Sequence, residues 1–291
     1  MNTKNLNFIF FGTPDVSSET LEILKKNGYI PSLIITSPDA KKGRGLHIEQ
    51  SPTANFAEKN NIPCLKPENN AELASVFSSE EFGSAVRSEK KLKQALHDLF
   101  IVVAYGKIMP ENILNIPKLG SINIHYSLLP KYRGASPVES AILNGETETG
   151  VTIQQMELKM DSGPILAQEK VAILHDEKSP ELRKRLIKQG GELLVKILPE
   201  FMEGKIKPIL QNEAEATLCK KIKKEDGLID LSNDPIKNYN KFRAYAHWPR
   251  TFFFESGKRI IITKARLENN QFIVKKIIPE GGKEVEYKIR N

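Results

Sequence analysis

Residues 99–104, L-F-I-V-V-A, restrict the fold more than any other part of the chain. A strand points alternate side chains to opposite faces, so this run is apolar on both. Such a strand needs cover above and below, which is the situation of a central strand in a parallel sheet with helices on each side. Residues 6–11 read as a buried first strand, ended by Gly12-Thr13-Pro14-Asp15. A helix is expected from about Val16, with Leu21, Ile23 and Leu24 facing inward and Gly28 as its stop. One glycine after the first strand, where the dinucleotide-binding fingerprint needs three, rules out that reading of the turn.

The remaining pattern continues α/β. Strands are expected at 32–36, 62–65, 151–157 and 164–171, and a helix at 180–203 in spite of Gly190-Gly191. Ser51-Pro52 opens a helix with a serine cap and proline in the first turn, and Ser136-Pro137-Val138-Glu139 reads as a capping box. Residues 68–98 read as helices with a break near 78–83. Past Gly204 the period shortens: strands are expected at 206–210, 227–231, 250–255, 259–263, 271–278 and 285–289, with a helix at 235–246. That is the pattern of a small β-barrel of the OB type. The expected architecture is α/β, a Rossmann-like parallel-sheet domain over residues 1–205 followed by an OB-like domain over 206–291.

Charge supports the division. Residues 213–291 hold 17 Lys and Arg against 11 Asp and Glu, so they carry +6 of the formal net +7. A basic module beside a near-neutral one points to a polyanionic partner. Lys220, Lys221, Lys223 and Lys224 cluster at its start. No run approaches the roughly 18 apolar residues of a membrane span, and no secretory signal is visible, so a cytoplasmic protein without a membrane partner is expected. Cys64 and Cys219 lack the spacing of a disulfide or zinc framework and read as small buried hydrophobes.

Chemistry concentrates in residues 121–137, S-I-N-I-H-Y-S-L-L-P-K-Y-R-G-A-S-P. On a strand, Ile122 and Ile124 share one face while Asn123 and His125 share the other. Proline then halts the ladder, leaving an amide and an imidazole near the strand's carboxyl end, where open α/β sheets bind ligands. A single histidine on a strand is more often a hydrogen-bonded structural residue, and the polar pair shifts that balance only modestly.

The string N-I-H-x-S-L-L-P-x-Y-R-G resembles the signature of the folate-dependent formyltransferases. F-G-T-P-D near the start and S-P-D-x-x-x-G-R-G after the second strand resemble the members that act on methionyl-tRNA, and T-G-V-T-I-x-x-M-E followed by M-D-S-G-P-I-L resembles the family's second signature. The resemblance implies formyl transfer from 10-formyltetrahydrofolate to the α-amine of methionine on initiator tRNA. It implies Asn123, His125 and Asp161 as catalytic residues and no metal. It places Tyr105, Gly106, Ser127, Leu128, Leu129 and Pro130 at the folate. The loop with Lys41, Lys42 and Arg44 would reach the acceptor end of tRNA, and the basic carboxyl module would hold its backbone. A monomer is expected. Tyr126 stands where relatives commonly carry glycine or proline, residues 68–98 are longer than usual, and His247 precedes Trp248-Pro249 where relatives more often have proline. An amino sugar or ribonucleotide acceptor is the nearest alternative. An RNA-binding protein without catalysis would explain the charge alone, and a folate hydrolase the three catalytic residues alone.

Overall fold

The computed structural model describes residues 6–42, 47–78 and 97–288. Two compact units divide the chain, Met1–His125 with Thr152–Glu169 and Ile187–Asn212, and Tyr126–Val151 with Lys170–Leu186 and Glu213–Asn291. In chain order the first elements are β1 Phe8–Gly12, α1 Asp15–Lys26, β2 Leu33–Ile35, β3 Ala40–Lys42, β4 His47–Glu49, α2 Pro52–Lys59, β5 Cys64–Leu65, α3 Asn70–Ser78, β6 Leu99–Val103, α4 Glu111–Leu114 and β7 Ser121–His125. There follow β8 Arg133–Gly134, α5 Pro137–Leu143, β9 Glu148–Gln155, β10 Ile165–Ala172, α6 Ser179–Met202, β11 Leu218–Cys219, α7 Pro235–Ala244, β12 Phe252–Glu255, β13 Lys258–Glu268, β14 Gln271–Pro279 and β15 Val285–Glu286.

The main sheet runs β10-β9-β7-β6-β1-β2-β5. β1, β2, β5, β6 and β7 pair in parallel, as the two-faced apolar runs require. Every residue of β1 and β6 is buried. Ile9, Phe11, Phe100 and Val102 meet Leu33, Ile35 and Leu73 on one face. Burying each such side chain stabilises the fold by about 1.5–3 kcal/mol. β9 departs from the parallel pattern, because it pairs antiparallel with β7. The sheet is therefore mixed, and that reversal matters for the site.

Local signals held at several termini. Ser51 Oγ accepts from Ala54 N at 3.0 Å, as the serine cap predicts. Gly191 is tolerated inside α6 because a Cβ there would lie 2.7 Å from Ile23 Cδ1, so its absence lets α1 approach. The capping box at Ser136 is not formed: Ser136 Oγ donates to Lys220 O and the Glu139 carboxylate takes Arg183 instead. A tertiary acceptor outcompeted the local one.

In the second unit β12-β13-β14-β15 form a four-stranded antiparallel sheet. Ile260, Ile262 and Ile277 on it meet Tyr239 and Phe242 of α7. Residues 206–210 and 227–231 do not become strands. The first makes one bridge, Ile165 to Ile209, beside Pro208, which lacks an N–H for a ladder. The second makes one, Leu228 to Phe252, directly after a 3₁₀ turn over Lys224–Gly227. Among the described residues no helix is long and apolar enough to cross a membrane.

Candidate active site

Asn123 and His125 lie at the carboxyl end of β7 on one face, as period two requires. The antiparallel partner adds to that face. Asn123 stands opposite Gln154 and His125 opposite Thr152, and directly opposed residues share a face. After β9 the chain turns through Lys159 to Gly163 and re-enters the sheet, with Gln155 N bonded to Pro164 O at 2.9 Å.

Two backbone features build that turn. Asp161 adopts φ +52, a left-handed conformation that aspartate tolerates better than most residues. Gly163 passes so close to β9 that a Cβ would fall 1.9 Å from Gln155 O. Together they carry the Asp161 carboxylate to His125, with Oδ2 3.5 Å from the imidazole Nδ1. The histidine is 5% exposed. At this separation the carboxylate attracts the imidazole by charge whenever the ring is protonated. The other carboxylate oxygen, Oδ1, accepts from Gln154 Nε2 at 2.9 Å.

Gln154 and Gln211 escaped the sequence reading. Glutamine leaves no local signature, and the position of Gln154 is legible only once β9 is known to pair with β7. Gln211 Nε2 donates to Asp161 O at 2.9 Å and to Gly163 O at 2.7 Å.

Around the carboxyl ends of β1 and β6 a second polar group is locked in place. Gly12 admits no Cβ, since one would sit 2.5 Å from Ser17 Cβ. Ser17 Oγ donates to Val103 O at 2.6 Å, and Thr13 Oγ1 donates to Tyr105 O at 3.0 Å. Tyr105 itself is buried against Phe11, and burial pushes its phenol up to about 12. Gly106 follows at φ +83 with open space where a Cβ would be. β1 feeds β2 on one side and neighbours β6 on the other, so these two loops flank a point where strand order reverses.

Ser127, Leu128, Leu129 and Pro130 lie in the second unit. Ser127 is buried and donates to Lys131 O at 2.6 Å, and Leu129-Pro130 is a cis peptide. The same unit holds the basic cluster next to this loop in the fold: β11 pairs with β8, Thr217 N donates to Pro130 O at 3.2 Å, and Arg133 N donates to Thr217 O at 2.8 Å. Gly134 is required there, because a Cβ would lie 2.3 Å from Cys219 O. Lys220, Lys221, Lys223 and Lys224 follow at once and are exposed. Lys41 is exposed on the β3-β4 hairpin, where Lys42 pairs with His47, whereas Arg44 lies outside the described residues. Among the described residues no cluster of His, Cys, Asp and Glu could hold a metal ion. Cys64 is half-buried, and burial pushes its thiol up to about 11.

Over residues 4–198 the sequence matches the formyl transferase family, and over residues 221–286 the formyl transferase C-terminal domain. The chain belongs to the formyl transferase family. Its relatives include the methionyl-tRNA formyltransferase of Dictyoglomus turgidum, 40% identical across 92% of this chain and 81% of that one. That of Thermotoga maritima is 39% identical across 84% of this chain and 74% of its own. Among solved structures, the methionyl-tRNA formyltransferase from Clostridium thermocellum has a TM-score of 0.59 at 16% identity, covering 97% of this chain and 100% of that one. The N-formyltransferase from Helicobacter canadensis, in complex with folinic acid and dTDP-3-aminofucose, has a TM-score of 0.66 at 19% identity, covering 91% and 88%. These structures share the fold with this formyl transferase.

Proposed function

We propose that this formyl transferase moves the formyl group of 10-formyltetrahydrofolate to the α-amino group of methionine on initiator tRNA, supporting translation initiation in the cytoplasm. The observation that carries the acceptor is sequence identity of 36–40% with enzymes named for methionyl-tRNA, over most of the chain. Likeness to sugar-directed enzymes stays at 16–19% and reflects fold.

The reaction makes two demands on the protein. As the amine adds to the formyl carbon, negative charge develops on the formyl oxygen, and the attacking nitrogen must lose a proton. Asn123 is a rigidly mounted amide whose N–H donates to that oxygen, an interaction typically worth about 10² to 10³ in rate. His125 takes the proton from the amine and returns one to the departing folate nitrogen, a contribution of roughly 10² to 10⁴. Asp161 orients the imidazole and stabilises its protonated form by charge.

The folate lies at the crevice between the carboxyl ends of β1 and β6. There the backbone of Tyr105 and Gly106 borders it, the Tyr105 ring serving as support from the core; Ser127, Leu128, Leu129 and Pro130 are proposed as further folate residues from the motif they belong to. Residues 1–205 form the catalytic domain and 206–291 the OB-like tRNA-binding domain of a monomer. The segment of sequence with Lys41, Lys42 and Arg44 meets the acceptor end of tRNA, and the lysines at 220, 221, 223 and 224 meet its phosphates.

Incubation with labelled 10-formyltetrahydrofolate and a mixture of methionyl initiator tRNA, methionyl elongator tRNA and a dTDP-amino sugar tests the reading. Label is expected on the initiator tRNA. Label on the sugar nucleotide alone would overturn it.

A further inference from the structure

We infer that Gln154 and Gln211 are positioning residues for the transfer reaction, one amide aiming the Asp161 carboxylate and the other fixing the turn on which it rides. The role in catalysis rests on the function proposed above, whereas the aiming of Asp161 at His125 is a property of the fold and is measurable without turnover.

Gln154 is 2% exposed, and a buried amide must find partners for both of its ends. Its Nε2 donates to Asp161 Oδ1 at 2.9 Å, and its Oε1 lies 3.4 Å from Gln211 Nε2. An ionised carboxylate only accepts, and that fixes the Nε2 end of the amide toward Asp161. With Oδ1 engaged, Oδ2 is the oxygen presented to His125 Nδ1. Gln211 spends its two N–H groups on Asp161 O and Gly163 O, so the 3.4 Å contact is a weaker third. This clamp acts where it is needed, because Asp161 holds an unfavourable left-handed conformation.

The residue type fits the task. A neutral donor secures Oδ1 without cancelling the charge that Oδ2 offers to the imidazole. Lysine or arginine in place of Gln154 would compete with a protonated His125 for the same carboxylate.

The test uses the whole chain with Gln154→Leu, Gln154→Glu and Gln211→Ala. Gln154→Leu is expected to lower kcat about tenfold, the rate equivalent of one charge-assisted hydrogen bond, with KM for both substrates within about twofold. Gln154→Glu is expected to be less active than Gln154→Leu near neutrality, since two carboxylates then repel, and to recover as pH falls and the new carboxyl gains a proton to donate. The ¹⁵N resonances of the His125 imidazole report the geometry directly and are expected to shift in Gln154→Leu and Gln211→Ala. If the parent protein transfers nothing to methionyl-tRNA, the functional reading fails while the imidazole resonances still decide the positioning role. Unchanged resonances and kcat in Gln154→Leu overturn the inference. Should Gln154→Leu not fold, the absence of acid recovery in Gln154→Glu overturns it equally.

Discussion

Asp161 Oδ2 faces His125 Nδ1 at 3.5 Å, and the pair is brought together by a strand reversal rather than by neighbouring sequence. His125 rides on β7, while Asp161 hangs from the turn beyond β9. The aspartate keeps its partner only while that turn keeps its shape. Replacing Asp161 by asparagine preserves shape and removes charge, so kcat is expected to fall by about 10²-fold or more. Steady-state kinetics on the folded variant checks this, and full activity would return Asp161 to a turn residue.

Asn123→Ala separates oxyanion stabilisation from binding. In the proposed mechanism the donor acts where charge develops, so the expected loss is about 10²-fold in kcat with the KM for folate little altered. A loss confined to folate affinity would reassign Asn123 to ground-state binding.

Gly163→Ala tests the turn through its backbone. The added methyl would fall 1.9 Å from Gln155 O, a main-chain atom that cannot step aside as a side-chain tip could. The turn must shift, and a displacement of about 1 Å at a catalytic group costs on the order of 10²-fold in rate. Activity near the parent level in a folded Gly163→Ala protein would show that the turn tolerates a different path.

Stability should carry an acid limit set partly by His97. This residue is buried at the entry to β6, and burial holds its pKa below the ordinary imidazole value, against the opposing pull of Asp98. The folded state therefore favours neutral His97, whereas the unfolded chain takes up a proton from about pH 6.5 downward. The unfolded state binds more protons in that window, so stability falls as pH drops through it and the loss levels off below the folded-state pKa. His97→Gln removes this titration. Urea midpoints measured at about pH 7.5 and about pH 5.5 are expected to fall less in the variant than in the parent; parallel declines would exclude His97 as a contributor.

How much of this was legible depended on how far each signal reaches along the chain. The all-buried β1 and β6 announce themselves in composition, because cover on both faces demands apolar residues at every position. Asn123 beside His125 follows from period two alone. The mixed sheet did not follow, since nothing within residues 148–155 states which neighbour they pair with. Gln154 and Gln211 were hidden for the same reason, as their roles exist only after β9 meets β7 and residue 211 meets the Asp161 turn. Ser136 shows the converse failure, where a sound local motif lost its hydroxyl to Lys220 O. One-bridge segments, at Ile209 in the first unit and at Leu228 in the second, carry strand-like composition without a ladder to join.

The most direct test of the central claim is the rate of formyl transfer from 10-formyltetrahydrofolate to methionyl initiator tRNA by His125→Ala, with folding verified by circular dichroism. In the proposed mechanism His125 takes the proton of the attacking amine, so the rate is expected to fall about 10³-fold while folate still binds. Transfer within about tenfold of the parent would contradict the account, because an effect that small lies below the range of general acid–base catalysis.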